Sequence, residues 1–280
     1  MKLALFSLLF TTSLTAEYAS VNGLRIYYEI HGPANSAKPP LVLMHGGGST
    51  IETSFEQYLP LLAKTRRVVA FDQQGHGRTA DVDRPFSFEQ SADDAAALLH
   101  HLKIEQADFF GYSNGGTIAL QIAIRHPKLV RRLVVMSANF KRDGLPPEFW
   151  EGMKHAKLSE MPAELRDAYA HLSPHPERLQ SFHDKCVQRM LNFKDVPAEA
   201  LRSIEAPALI IVGDADVVRP EHAVEMFRVM RNAKLAILPN TDHMSIVKNV
   251  EAQSQMIEAF LQQESPLPAV RGEGQGEGPC

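Results

Sequence analysis

Two cysteines in 280 residues, Cys186 and Cys280, are too few for a disulfide framework. Cys186 falls inside an amphipathic helical pattern and Cys280 ends a polar stretch, so no bridge between them is expected. No Cys–His spacing of the zinc-binding kind occurs, and no metal or cofactor is called for. Long apolar runs are equally scarce. Beyond the first 16 residues no stretch reaches the roughly 18 apolar residues that a membrane span requires, which excludes a stable membrane anchor of that type. Nor does one sign of charge dominate. Lys and Arg number 29 against 33 Asp and Glu, a net charge of −4, so neither nucleic acid nor another polyanion is suggested as a partner. What the chain does have is length and apolar content: 44% hydrophobic residues over 280 positions can bury the core of a single α/β domain.

The two ends differ from the middle. Met1-Lys2, an apolar stretch from Leu3 to Leu14 and then Thr15-Ala16 have the make-up of a secretory signal peptide over residues 1–16. That reading places the mature protein in a secreted or periplasmic location. A mis-assigned start, or an apolar segment packed on a cytoplasmic domain, is the competing reading. Residues 263–280 are rich in Pro, Gly and Glu and read as a disordered tail. The folded domain is expected over residues 17–262.

Within it, strand and helix patterns alternate. Val21–Ile30 reads as strand with a turn at Asn22-Gly23, Leu41–His45 as strand, Phe55–Lys64 as helix and Arg67–Phe71 as strand. Phe88–Leu102 reads as helix, then a strand leads to Gly111, a helix spans Asn114–Arg125, and Leu133–Met136 is strand again. This βαβ alternation implies a mostly parallel, doubly wound sheet with active residues at the carboxyl ends of its strands. It breaks over residues 139–204, where Pro-punctuated helices replace it. Leu179, Phe182, Cys186, Val187, Met190 and Phe193 recur at helical spacing.

Four strand ends carry chemistry. Gly111-Tyr112-Ser113-Asn114-Gly115 lies between a strand and a helix, the context in which a Gly-x-Ser-x-Gly turn exposes a serine hydroxyl as nucleophile. The strand Leu41–Met44 runs into His45-Gly46-Gly47-Gly48, whose backbone N–H groups can approach a substrate oxygen closely. Gly47 is the expected oxyanion donor there, with the N–H of Asn114 as the second. The run Leu209–Val212 ends in Gly213-Asp214-Ala215-Asp216. Both aspartates compete for the acid; Asp216 is the choice, because Asp214 directly after the glycine suits a turn or cap. Finally, Leu235–Leu238 leads to Asp242-His243. A single histidine among twelve usually packs or solvates, but His243 follows the acid in chain order. Ser113, Asp216 and His243 thus supply nucleophile, acid and base.

These motifs, from about Tyr18 to Leu261, resemble the α/β-hydrolase superfamily, and in particular its small serine esterases and enol-lactonases. Asp72-Gln73-Gln74-Gly75-His76-Gly77-Arg78 resembles that family's Asp-x-x-Gly-x-Gly loop, in which Asp72 pins a turn and His76 is scaffold or pocket rim. The resemblance implies an α/β-hydrolase fold with a helical cap insertion at about residues 139–204. Its apolar face can line the pocket, with Trp150, Phe182 and Met190 as candidate specificity residues; the competing reading is helices packed on the sheet edge without substrate contact and these three residues in the core. It also implies an acyl-enzyme mechanism on a small-molecule ester or lactone, with no cofactor. Asn114 departs from the glutamine or methionine common in relatives, which leaves its backbone N–H unaffected. Alternatives on the same residues are a C–C bond hydrolase and a proline-type aminopeptidase using Glu148, Glu151, Glu160 or Glu164 to bind an amine. A non-catalytic small-molecule receptor of the same fold is a further one.

Overall fold

The computed structural model describes residues 14–263. Most of the leader and tail expected at residues 1–16 and 263–280, and Cys280 with them, lie outside the described residues. Among the described residues eight strands form one sheet in the order β1-β2-β4-β3-β5-β6-β7-β8. They are β1 (Thr15–Val21), β2 (Leu24–His31), β3 (Leu41–Met44), β4 (Val68–Phe71), β5 (Ala107–Tyr112), β6 (Val130–Met136), β7 (Ala208–Gly213) and β8 (Ala233–Leu238). The first two pair antiparallel around Asn22-Gly23, and β2 runs antiparallel to β4. All other pairings are parallel. Thr15 and Ala16 already pair with Ile30 and Glu29, so β1 opens two residues before the expected domain start.

Among the described residues ten α-helices accompany the sheet: α1 (Ile51–Phe55), α2 (Leu59–Leu62), α3 (Phe88–His101), α4 (Asn114–Arg125), α5 (Pro147–His155), α6 (Ala163–Leu172), α7 (Leu179–Leu191), α8 (Ala198–Arg202), α9 (Pro220–Val229) and α10 (Val250–Leu261). The central strands are buried on both faces, and their alternate residues feed two separate cores. Val42, Met44, Phe109 and Val135 pack with α3, α4, α8 and α9 on one face. Leu41, Leu43, Phe110 and Val134 pack with α1, α2 and α10 on the other. This is the doubly wound arrangement that the alternation of elements implied.

One expected helix is divided. The run read as Phe55–Lys64 forms α1 and α2, because Thr50 starts a helix earlier through reciprocal hydrogen bonds with Thr53, and Pro60 cannot sit in a helix interior. Between β6 and β7 the chain passes through α5 to α8 without a strand. Among the described residues no helix is long and apolar enough to cross a membrane.

Candidate active site

Ser113 joins β5 to α4 at φ 55° and ψ −124°, a conformation that a residue with a side chain adopts only under constraint. Its own N–H donates to the Met136 carbonyl (2.8 Å), and its carbonyl accepts from Gly116 (2.8 Å). The glycines allow the turn to pack. A Cβ on Gly115 would stand 1.9 Å from the Met44 carbonyl oxygen, and one on Gly111 would stand 2.1 Å from that of Gly115.

The loops after β7 and β8 bring Asp216 and His243 to this serine. His243 Nε2 lies 3.0 Å from Ser113 Oγ, and His243 Nδ1 lies 2.8 Å from Asp216 Oδ1. The Asp216 side chain is fully buried. Burial by itself pushes its carboxyl pKa up. The hydrogen bond and charge of His243, the Ser137 hydroxyl and the Val218 N–H outweigh that, so the group stays below the usual carboxylate range. A carboxylate held ionised beside Nδ1 fixes the orientation of the imidazole.

Asp214, the rival acid, is turned away from His243. Its Oδ1 accepts the Thr241 N–H (3.1 Å), and this hydrogen bond ties the loop after β7 to the loop that carries His243. Backbone N–H groups of Asn240 and Thr241 hold its carboxyl below the usual range. Two further residues position the site without having been singled out from the sequence. The Tyr112 hydroxyl donates to the His243 carbonyl (2.5 Å), and the Ser137 hydroxyl donates to Asp216 Oδ2. Their signal was place: Tyr112 precedes the nucleophile, and Ser137 directly follows β6.

Gly47 and Asn114 both line a cavity of about 350 Å³ that opens over Ser113 and His243. Asn114 is the first residue of α4, where N–H groups have no intrahelical acceptor and the helix dipole is positive. The remaining wall is chiefly apolar and comes mostly from the β6–β7 segment, including Leu145, Phe149, Met153, Leu165, Val187 and Met190, with Val217 and Val218 added by the loop after β7. The charged lining residues Lys157 and Glu160 are exposed.

Two of the three expected specificity residues are elsewhere. Met190 lines the cavity, but Trp150 and Phe182 do not. Trp150 donates its indole N–H to the Arg142 carbonyl (2.7 Å) and packs on Phe149 and Phe193. Phe182 stacks on Tyr169 and meets His76 and Phe86. Helical spacing identifies an apolar face but not which layer of the segment that face meets.

Asp143, His222 and Glu225 place three ligand-type atoms within 4.8 Å of one another. The histidine does not suit a metal. Its Nε2 accepts the Phe140 N–H (3.1 Å), so the proton sits on Nδ1, the atom facing Asp143 (3.7 Å) and Glu225 (3.9 Å). A protonated nitrogen has no lone pair to donate.

Comparison with known proteins identifies the family. A family model described as the alpha/beta hydrolase family matches residues 41–254. The chain belongs to that family. Its coarse activity is therefore that of a hydrolase. It is 29% identical to the human serine hydrolase BPHL over 267 residues, which cover 90% of this chain and 88% of that protein. It is 28% identical to a pimeloyl-[acyl-carrier protein] methyl ester esterase of Neisseria meningitidis over 243 residues, 79% of this chain and 92% of that one. Among solved structures, an enol-lactonase from Burkholderia xenovorans LB400 superposes with a TM-score of 0.73 at 24% identity, covering 88% of this chain and 100% of that chain. This last likeness is one of fold.

Proposed function

We propose that this hydrolase cleaves carboxylic esters or lactones of small molecules through an acyl-enzyme formed on Ser113. The observation that carries the reading is His243, hydrogen-bonded at once to Ser113 Oγ (3.0 Å) and Asp216 Oδ1 (2.8 Å) on the floor of an apolar cavity. Ser113 attacks the carbonyl carbon while His243 takes its proton, and Asp216 steadies the imidazolium. Gly47 and Asn114 N–H groups stabilise the tetrahedral oxyanion. His243 then protonates the leaving oxygen, and a water activated by the same imidazole releases the acid.

The esterase relative supports ester chemistry, and the apolar wall suits an uncharged acyl or alcohol group. An amine-binding role for the four candidate glutamates has less support, since of these only Glu160 lines the cavity and it is exposed. The test is turnover on p-nitrophenyl esters of varied chain length and on a lactone panel. Ser113→Ala and His243→Ala should each lower kcat by about 10⁴-fold or more, with the double variant little worse, because residues that act as one unit are not additive. A wild-type burst followed by multiple turnover is expected of an enzyme. Stoichiometric binding without turnover would return the receptor reading, and full activity in Ser113→Ala would overturn the mechanism.

A further inference from the structure

Three successive glycines, Gly46 to Gly48, carry no side chain that could hold the loop over Ser113 in one conformation. Two buried histidines grip the peptide groups on either side of Gly47 instead. His45 Nε2 accepts the Gln73 N–H (3.0 Å), which leaves the proton on Nδ1, and Nδ1–H donates to the Gly46 carbonyl (2.8 Å). His76 Nδ1 donates to the Gln74 carbonyl (2.8 Å), and its bare Nε2 accepts the Gly48 N–H (3.3 Å).

These two contacts have a directional consequence. The Gly46 carbonyl and the Gly47 N–H belong to one trans peptide unit and point opposite ways. Holding the carbonyl against His45 therefore turns the Gly47 N–H away from His45. The next N–H in the loop, Gly48, is withdrawn to His76. Among the described residues no acceptor takes the Gly47 N–H. We propose that His45 and His76 are positioning residues that aim the Gly47 N–H as the oxyanion donor, His45 by gripping the carbonyl of the same peptide unit and His76 by taking the neighbouring N–H out of competition.

This rests on the serine-hydrolase reading above and adds to it two residues that do not touch substrate. The His76 grip needs an uncharged imidazole because its Nε2 must accept, and at His45 a neutral ring lets Nε2 accept from Gln73 while Nδ1 keeps the proton; the surroundings supply that condition. Both rings are fully buried. Burial pushes His45 down to about 4 against the opposing Gly46 hydrogen bond, with a smaller push from the Arg189 guanidinium; burial, His45 and Arg189 push His76 in the same direction against the Gln74 hydrogen bond. Arg189 comes from α7 and reaches Gln73 Oε1 (3.4 Å), while Gln73 Nε2 donates to the His45 carbonyl (2.8 Å). Among the described residues Arg189 forms no ion pair, and two further titratable groups stand nearby: Cys186, whose Sγ is 3.9 Å from His76 Nε2, and Asp81, whose charge acts on that thiol.

The side-chain amides of Asn and Gln reproduce the two imidazole nitrogens separately, Asn at Nδ1 and Gln at Nε2. The expected pattern is crossed. His45→Asn keeps the donor to Gly46 and should retain most of kcat, whereas His45→Gln should lose it. At His76 the order reverses: Gln keeps the acceptor for Gly48, and Asn does not. The two impaired variants should lose about 10²-fold in kcat, the order of one oxyanion donor, with little change in KM. Equal losses within each pair, or losses that track melting temperature alone, would overturn the clamp while leaving the mechanism standing. Wild-type turnover that does not depend on Ser113 would overturn the mechanism itself and the clamp with it. Should a variant fail to fold, ¹⁵N spectra of the unaltered protein decide: both rings should be neutral with the proton on Nδ1, and the opposite tautomer or a charged ring at pH 7 rejects the proposal.

Discussion

On the cavity floor a single added methyl group has nowhere to go, whereas parts of the helical segment above it would accept one freely. A Cβ on Gly115 would stand 1.9 Å from a backbone oxygen, while one on Gly152 in α5 meets nothing within 4 Å. The floor is built where β3, β5, β6, β7 and β8 end side by side, and its reactive groups are held by backbone contacts between segments distant in sequence. The segment between β6 and β7 is built from short helices whose apolar residues divide between an internal layer and the cavity wall. The difference separates two kinds of specificity. Under the proposed function, geometry at the floor would govern whether a reaction occurs, and side-chain volume in the wall would govern on what.

The sharpest test of the floor lies between its two aspartates. Asp216→Asn should lower kcat by about 10⁴-fold, because the amide favours the wrong imidazole tautomer. Asp214→Asn should cost far less activity and show instead as a lower melting temperature, since Asp214 ties Thr241 to the loop after β7. A dead but well-folded Asp214→Asn would exchange the two roles.

Glycine substitutions compare the regions directly. Gly115→Ala should destabilise by more than about 3 kcal/mol, or prevent folding, because overpacking against backbone cannot relax. Gly152→Ala should stabilise by about 0.5–1 kcal/mol, the cost of a glycine in a helix. Denaturant titration of both variants measures the contrast, which disappears if the two shifts share a sign.

Within the helical segment the layers should also separate. Trp150→Ala and Phe182→Ala should cost about 3–5 kcal/mol of stability, as large aromatic truncations do, and leave the chain-length profile of ester hydrolysis unchanged. Phe149→Ala, Met153→Ala and Val187→Ala should shift the ratio of long-chain to short-chain rates by about 10–200-fold. Unchanged ratios in all three wall variants would remove this segment as the specificity element.

The joint between the regions should respond to acid. His222 on α9 stacks on Phe140, accepts its N–H, and is buried. Burial depresses its pKa to about 4, only partly offset by Asp143 and Glu225. Because the unfolded imidazole takes up a proton first, the associated stability is complete above about pH 6.5 and is lost as pH falls toward 4. His222→Gln keeps the acceptor for Phe140 and does not titrate there. Between pH 7 and 4 the wild type should therefore lose about 3 kcal/mol more than this variant; parallel loss in both would reject the buried histidine as the cause.

Much of this architecture was legible because it depends on local pattern. Alternating apolar strands and helices imply the doubly wound sheet, and residues that follow a strand in such a sheet must collect at its carboxyl edge. For that reason Ser113, Asp216 and His243 were recognisable 130 residues apart. Asp216 could be preferred over Asp214 from its distance to the glycine alone. The division of one expected helix into α1 and α2 also has a local cause, Pro60, which the apolar spacing outweighed in the reading.

The rest was decided by contacts between segments that no local pattern links. Which apolar residues of α5 and α7 face the cavity depends on how those helices roll against each other, and this roll decides between wall and core for Trp150 and Phe182, which pack inside. Ser137 gained its place beside Asp216 only when β6 and β7 paired. The sequence marks His76 as scaffold or pocket rim and His45 as part of a glycine loop, but only the meeting of strand ends brings Gln73 and Gly48 to their nitrogens. Periodicity determines which face of an element is buried. Only tertiary packing supplies the second partner of each hydrogen bond, and with it the direction in which a donor points.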